Sequence, residues 1–200
     1  MAERNRVTPL GDIEAFPLRG AWTGNRGILH QGREIVRTHA SNLWITCALE
    51  FRGRRREQWL PDRWTHLYFH DEAVALAAGH RPCGECRRAA YQAYKEAWAD
   101  SGPLPSATEM NKQLHRERLV RGGRRLHPMP WHDLPDGTFV LLEDVPAVKV
   151  AGQLTVWTRK GYGTRLRLPS AGTATVLTPP STVAVLRAGY PAQIDETARG

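Results

Sequence analysis

The chain has 200 residues, of which 41% are hydrophobic and 24% are charged. This composition is typical of a globular protein and excludes intrinsic disorder, and no apolar run approaches the ~20 residues of a membrane-spanning helix. Glu3, Asp12 and Glu14 interrupt the N-terminal segment, which therefore lacks the layout of a secretory signal peptide. We expect a soluble cytoplasmic protein without a membrane partner.

Basic residues exceed acidic ones, 28 Lys and Arg against 20 Asp and Glu, and the net charge is +8. Nearly all of the basic residues are arginines, whose planar guanidinium matches the oxygens of phosphate. A genome-level codon bias would spread arginines along the chain, whereas clusters favour a polyanionic partner. The residues predicted to bind nucleic acid are Arg52, Arg54, Arg55, Arg56, Arg87, Arg88, Arg116, Arg118, Arg121, Arg124 and Arg125.

The N-terminal half begins with a segment punctuated by glycines, which are typical of turns. Apolar patterning then predicts three strands, at 33–38, 43–51 and 64–69. Residues 71–78 predict a short helix with an acidic first turn, and Gly79 would be its C-terminal stop. A longer helix with an aromatic stripe is predicted over 87–98.

The C-terminal half begins with a helix and continues as short strands. Ser106 and Glu109 form a capping-box signature, and the helix that they open is predicted to end at Gly122 and Gly123. Strands are predicted over 138–142, 147–150, 154–157 and 173–177, with a last helix over 181–188. Together these elements predict a single α+β domain with a central helical stretch and a β-rich C-terminal part.

The three cysteines indicate metal chemistry, because an odd count argues against a disulfide framework. Cys83 and Cys86 are separated by two residues, and Gly84 permits the tight turn of a zinc knuckle. A redox pair is the competing interpretation. Redox motifs usually open a helix directly after a strand, whereas here a short helix precedes the pair, which favours metal.

Residues 67–88 resemble the Ada-type zinc-binding domain of DNA methylphosphotriester repair proteins. They contain a hydrophobic strand, a short Ala-rich helix and then Ala-Gly-His-Arg-Pro-Cys-Gly-Glu-Cys-Arg over 78–87. The resemblance covers about a tenth of the chain and has no gaps. It implies an Ada-like zinc-binding module with an N-terminal extension over 1–100, and a basic helix with a β-rich part over 101–200, packed as the same domain.

The resemblance also implies a Zn²⁺ site and association with DNA rather than RNA. Cys83 and Cys86 match two of the family's zinc ligands, and Cys47 is the third. The family uses four cysteines, whereas this chain has three, so the fourth ligand is expected to be a histidine. We choose His30, with His39, His66 and His70 as the other candidates. A neutral imidazole in place of one thiolate would weaken the nucleophile that methyl transfer needs. We therefore expect this chain to share zinc and DNA binding with the family, but not methyl transfer.

Two other functions remain open. A metal-dependent nuclease or hydrolase acting on nucleic acid would use the open position of a three-ligand zinc, and His115, Glu117 and Arg118 carry suitable groups on one helix. Alternatively, zinc stabilises a structural protein without a nucleic-acid role, and the arginines reflect codon bias. We favour a zinc protein that associates with nucleic acid, with a role in DNA repair or processing.

Overall fold

The structure is a computed structural model that describes residues 2–53 and 57–200. Arg54, Arg55 and Arg56, three of the arginines predicted to bind nucleic acid, lie outside the described residues. Within these two ranges, no helix combines the length and the apolar character that crossing a bilayer requires.

The described elements are four helices and sixteen strands. The helices are α1 (Glu72–Ala77), α2 (Arg88–Ala99), α3 (Ala107–Arg118) and α4 (Pro180–Arg187). The strands of the first half are β1 (Arg4–Val7), β2 (Ile13–Ala15), β3 (Trp22–Asn25), β4 (His30–Gln31), β5 (Glu34–Ile35), β6 (Ile45–Cys47), β7 (Leu67–Phe69) and β8 (Arg81–Pro82). Those of the second half are β9 (Leu119–Val120), β10 (Gly123–Arg124), β11 (His127–Pro130), β12 (Phe139–Leu142), β13 (Val145–Val150), β14 (Gln153–Thr158), β15 (Gly161–Arg167) and β16 (Thr173–Val176).

Each half of the chain builds one six-stranded sheet. The first sheet has the order β2-β1-β7-β3-β6-β8, in which β1 and β7 are parallel, β6 and β8 are parallel, and the other neighbours are antiparallel. The second sheet has the order β11-β16-β12-β13-β14-β15 and is antiparallel throughout. The hairpins β4–β5 and β9–β10 form two small separate sheets.

One hydrophobic core joins the two halves. It includes Phe69 and Val74 from the first half together with Phe139 and Trp157 from the second. Every residue of α1 is buried, which the small alanine side chains allow because they let neighbouring elements approach the helix from all sides. Asp71 caps this helix by accepting a hydrogen bond from the Val74 amide at 2.8 Å.

The mixed α and β composition agrees with the predicted α+β class. The short helix, the longer helix after the cysteine pair, the β-rich second half and the last helix all form close to their predicted positions. The capping box of Ser106 and Glu109 also forms, with reciprocal hydrogen bonds of 3.2 and 2.7 Å. These features depend on neighbours in sequence, which the pattern of residues reports directly.

Several predictions about individual elements were wrong, and the strand predicted over 33–38 is only Glu34–Ile35. The helix opened by Ser106 ends at Arg118, because Gly122, with φ of +86°, belongs to the turn of the β9–β10 hairpin. The strand predicted over 43–51 is only Ile45–Cys47, the part that pairs with β3 and β8. Strand β15 was missed because most of its residues are exposed and its sequence lacks apolar alternation.

Glu72, the first residue of α1, joins three segments through a buried carboxylate. It accepts hydrogen bonds from the Tyr190 hydroxyl at 2.7 Å and the Gln193 amide at 3.0 Å. It also forms an ion pair with Arg87 at 2.7 Å, in which the side chains are 2% and 7% exposed. The carboxylate thus holds the C-terminal segment and the start of α2 against α1.

We expect Glu72→Ala to lower the free energy of unfolding by about 3–5 kcal/mol, because it leaves the Arg87 charge buried and unpaired. Urea unfolding followed by circular dichroism measures the loss. The control is Arg159→Ala, which breaks an exposed pair with Glu14 and is expected to cost no more than about 1 kcal/mol. Equal losses in the two variants would contradict the buried-charge explanation.

Candidate metal centre

The three cysteines meet because β6 and β8 are parallel neighbours. Their register pairs Ile45 with Arg81 and Thr46 with Pro82, so Cys47 and Cys83 follow side by side at the carboxyl ends. The Cys83 amide donates to the Thr46 carbonyl at 2.9 Å, which continues the pairing. Cys86 comes from the turn that leads into α2, and the three sulfur atoms all lie within 4.8 Å of one another. This group could hold a metal ion.

Hydrogen bonds within the cluster favour the thiolate form of Cys83. Hydrogen bonds from the Cys47 and Cys86 thiols, with further ones from backbone amides, lower the pKa of Cys83 to about 2. One of these amides is that of Glu85, which lies 3.4 Å from the Cys83 sulfur. The same hydrogen bond to Cys83, with that to Cys86 and burial, raises the pKa of Cys47. A bound cation would displace the remaining protons, since metals bind the thiolate form.

The sequence reason for preferring metal over redox chemistry was wrong. A strand, β8, directly precedes Cys83, and α2 begins two residues after Cys86, so the order strand, cysteine pair, helix is the one expected of redox motifs. The third thiol now supports metal binding instead. A dithiol redox pair needs two sulfurs, whereas a convergent group of three is typical of a thiolate metal site.

Gly84 packs closely against α2. A Cβ at this position would lie 3.3 Å from Cδ1 of Tyr91, which is tighter than an ordinary contact. The turn that carries Cys83 and Cys86 therefore packs against the first turn of α2. Cys83 is buried and Cys86 is half-buried, so the cluster is reached from the side of Cys86.

The structure does not bring His30 to the cysteines. Among the described residues the metal-binding group consists of Cys47, Cys83 and Cys86 alone, and the other candidate histidines, His39, His66 and His70, do not belong to it either. The residue of β3 that pairs with Cys47 is Thr23, and the chain then leaves the sheet to form the separate β4–β5 hairpin. There the His30 nitrogens lie 2.6 Å from the Thr65 hydroxyl and 3.2 Å from the Leu60 carbonyl.

Three of the predicted phosphate-binding arginines lie in the interior. Arg87 is stacked on Trp22, with 3.8 Å from its guanidinium carbon to the ring centroid, and is paired with Glu72. Arg118 donates to the Gly79 carbonyl at 2.7 Å. Arg124 donates to the carbonyls of Ala77 and Leu177. Of the arginines predicted to bind nucleic acid, the described ones that are exposed are Arg52, Arg88, Arg116, Arg121 and Arg125.

Sequence reasoning missed Arg26, which is 1% exposed and lies beside the buried side chains of Arg118 and Trp44. No local pattern distinguishes it from a surface arginine. Its neighbours come from distant parts of the chain.

Glu117, the carboxylate on α3 that the nuclease alternative would use, has a structural role. Glu117 accepts hydrogen bonds from the Ser181 amide at 3.0 Å and the Ser181 hydroxyl at 2.6 Å, in the first turn of α4. It also accepts one from Gln113 at 2.8 Å. Glu117 therefore links α4 to α3, and both of its carboxylate oxygens accept hydrogen bonds.

No family model, no curated protein and no solved structure matches this chain. Its function has to be inferred from the chemistry of its own residues.

We expect the protein to bind one Zn²⁺ ion and Cys47→Ser or Cys83→Ser to weaken that binding strongly, because each variant removes a sulfur ligand. The loss of Zn²⁺ affinity should be larger than about 10–100-fold, which is the effect of changing a group that only hydrogen-bonds a ligand. Competition with a chromophoric chelator measures the affinity. His30→Ala is the matched control and should keep the affinity of the unmodified protein; a loss as large as that of Cys83→Ser would restore His30 as a ligand.

Proposed function

We propose that this chain is a zinc protein that associates with nucleic acid, DNA rather than RNA, and acts in DNA repair or processing. The observation that carries the proposal is the convergence of Cys47 with Cys83 and Cys86. Cys47 lies 36 residues before the cysteine pair, so its presence in the cluster is a tertiary feature. It is the third ligand that the resemblance to Ada-type domains implies.

Zinc is the metal that suits this ligand set best. Thiolates select soft or borderline cations, and Zn²⁺ is the usual ion in structural metal sites built from several cysteines. The ion would tie the end of β6 to the turn before α2, a link worth on the order of 10 kcal/mol locally. Three sulfurs leave one position of a tetrahedral ion for water or another ligand.

The Ada-type resemblance extends over a continuous set of elements. Residues 67–88 run through β7, α1, β8 and the cysteine turn to the first residue of α2. In this proposal residues 1–100 act as an Ada-like zinc-binding module with its N-terminal extension, and residues 101–200 add the basic helix and the second sheet. Methyl transfer is not part of the proposal, because the family's site has four thiolates and this chain has three cysteines.

The surface that we propose for phosphate contacts follows the exposed side of α3 and the β9–β10 hairpin. Lys112 and Arg116 are exposed and lie four residues apart, on one side of α3. Arg121 and Arg125 extend this surface beyond the end of the helix, and both are exposed. Contacts of this kind provide affinity for the DNA backbone without sequence selection.

A metal-dependent nuclease or hydrolase is the second candidate, and the three-sulfur ligand set favours it because the fourth position could hold a reactive water. In this alternative Zn²⁺ or Mn²⁺ would promote cleavage of a labelled DNA strand. The ligand variant Cys83→Ser would abolish the cleavage. Binding without cleavage supports the first candidate, and zinc binding without any affinity for DNA would indicate a purely structural role.

We expect DNA affinity to fall steeply with salt, and the double variant Arg116→Gln, Arg121→Gln to reduce the log–log slope by about 1.8, since each engaged phosphate contributes about 0.9. Fluorescence anisotropy with a duplex lacking terminal phosphates measures the slope. The matched control is Arg165→Gln, Arg167→Gln, which removes two exposed arginines from the edge strand β15. Equal slopes in both double variants, or a flat salt response, would contradict the proposed surface.

A further inference from the structure

We propose that a phosphate group binds in a cavity between Arg26 and Arg124, at the opposite end of the β6–β8 pair from the cysteines. The cavity has a volume of about 310 Å³. Its lining includes Gly11, Asp12, Thr38 and Trp44 besides the two arginines. The proposal goes beyond the metal centre and the DNA surface and depends on neither.

The cavity is separate from the cysteine cluster because the two lie at opposite ends of the same strands. Trp44 directly precedes β6 and His80 directly precedes β8, whereas Cys47 and Cys83 come at the carboxyl ends. Three residues of extended chain separate Trp44 from Cys47, which corresponds to about 10 Å.

Two guanidinium groups, those of Arg26 and Arg118, lie against Trp44, and Arg124 lines the same cavity as Trp44. The guanidinium carbons of Arg26 and Arg118 lie 4.0 and 3.9 Å from the centroid of its ring. In the described parts of the chain, neither these two arginines nor Arg124 forms an ion pair. Their hydrogen-bond partners are backbone carbonyls and the rings of two histidines, all of which are weaker counterparts than an anion.

The guanidinium groups of this cluster still have unused donors. Nη2 of Arg26, Nε of Arg118 and Nε of Arg124 are buried and have no hydrogen-bond partner within the described residues. A buried donor without a partner costs about 1–3 kcal/mol, and more when it is charged. Arg26 and Arg124 line the cavity, so an oxyanion that entered it would supply acceptors and negative charge to these two groups.

Burial lowers the pKa of all three groups, and the charges of neighbouring arginines act on two of them. Burial and the nearby Arg124 charge together lower the pKa of Arg26 to about 9. Burial and the charges of Arg26 and Arg124 lower the pKa of Arg118 to about 8. Asp12, at the exposed rim of the cavity, is the acid that opposes this effect on Arg26. The positive charge of these three arginines is therefore only partly neutralised by the protein, and a bound anion would reduce the repulsion between them.

A space beside Gly11 lies between the guanidinium groups of Arg124 and Arg26. A Cβ built on this residue would lie 3.4 Å from Nη1 of Arg124 and 3.7 Å from Nη2 of Arg26, the nitrogen that lacks a partner. Two guanidinium groups from distant segments thus point to one small volume. Guanidinium and phosphate favour this arrangement, because several N–H donors can reach different oxygens of one phosphate group.

The chemistry that fits is a phosphate monoester or inorganic phosphate. The cavity is larger than a phosphate group alone requires, and the side chains of Leu10, Leu119 and Val120 give it an apolar wall. A nucleoside attached to the phosphate could use that wall. The phosphate could therefore come from a free anion, from a mononucleotide or from the 5′ end of a DNA strand.

The test is calorimetric titration of the zinc-loaded full chain with sodium phosphate, with sodium chloride of equal ionic strength as the reference. We expect saturable binding of phosphate and none of chloride. Arg124→Gln should weaken phosphate binding at least about tenfold, because a charged hydrogen bond to an anion is lost. The control Arg165→Gln removes an exposed arginine of β15 and should leave the affinity unchanged.

Asp12→Asn keeps the test decisive if Arg124→Gln fails to fold. It removes an exposed negative charge from the rim and should tighten phosphate binding by about threefold, an effect that misfolding cannot produce. The proposal would be overturned if phosphate did not bind, or if chloride bound equally well. It would also be overturned if Asp12→Asn did not tighten phosphate binding.

The same titration identifies the source of the phosphate. Tighter binding of a 5′-phosphorylated oligonucleotide than of its 5′-hydroxyl form, with the difference lost in Arg124→Gln, would support the site and assign it to strand ends. Equal affinity for inorganic phosphate and a mononucleotide would support the site and assign it to a free anion. Because the proposed test of the DNA surface uses duplexes that lack terminal phosphates, failure of either proposal leaves the other measurable.

Discussion

The parallel pairing of β6 with β8 is the constraint on which both candidate sites depend. These strands are three and two residues long, yet their register decides what lies at each end. At the carboxyl ends it places Cys47 beside Cys83. At the amino ends it places Trp44 near His80, whose ring centroids are 5.2 Å apart, and so positions the aromatic ring against which the interior arginines pack.

The interior contains buried charges of two kinds. Glu72 and Arg87 form a paired and fully hydrogen-bonded group that joins α1, α2 and the C-terminal segment. Arg26, Arg118 and Arg124 form a second group, which has neutral partners and unused donors. The first arrangement is typical of a structural ion pair, in which each charge compensates the other. The second lacks that compensation, which is why a ligand of opposite charge is the natural explanation for it.

The many arginines of this chain therefore do not share one role. Charge and clustering in the sequence indicate a polyanionic partner for all of these residues alike, but the structure divides them between surface and interior. Arg116 and Arg121 can meet a DNA backbone directly because they are exposed. Arg124 can meet an anion only inside a cavity, and Arg87 meets a carboxylate of the protein itself. Net charge governs long-range attraction, whereas burial decides what each guanidinium can contact.

Local features were determined by the sequence alone. The capping box at Ser106 and the helix that begins after the cysteine pair follow from interactions over three or four residues, so the pattern of residues predicts them. The resemblance of residues 67–88 to a zinc module likewise lies in one continuous segment. The association of Cys47 with Cys83, the separation of His30 from both, and the burial of Arg26 beside Trp44 were decided only by tertiary structure. Each depends on which strands become neighbours, and strand pairing between distant segments is a property of the folded chain that local periodicity does not encode.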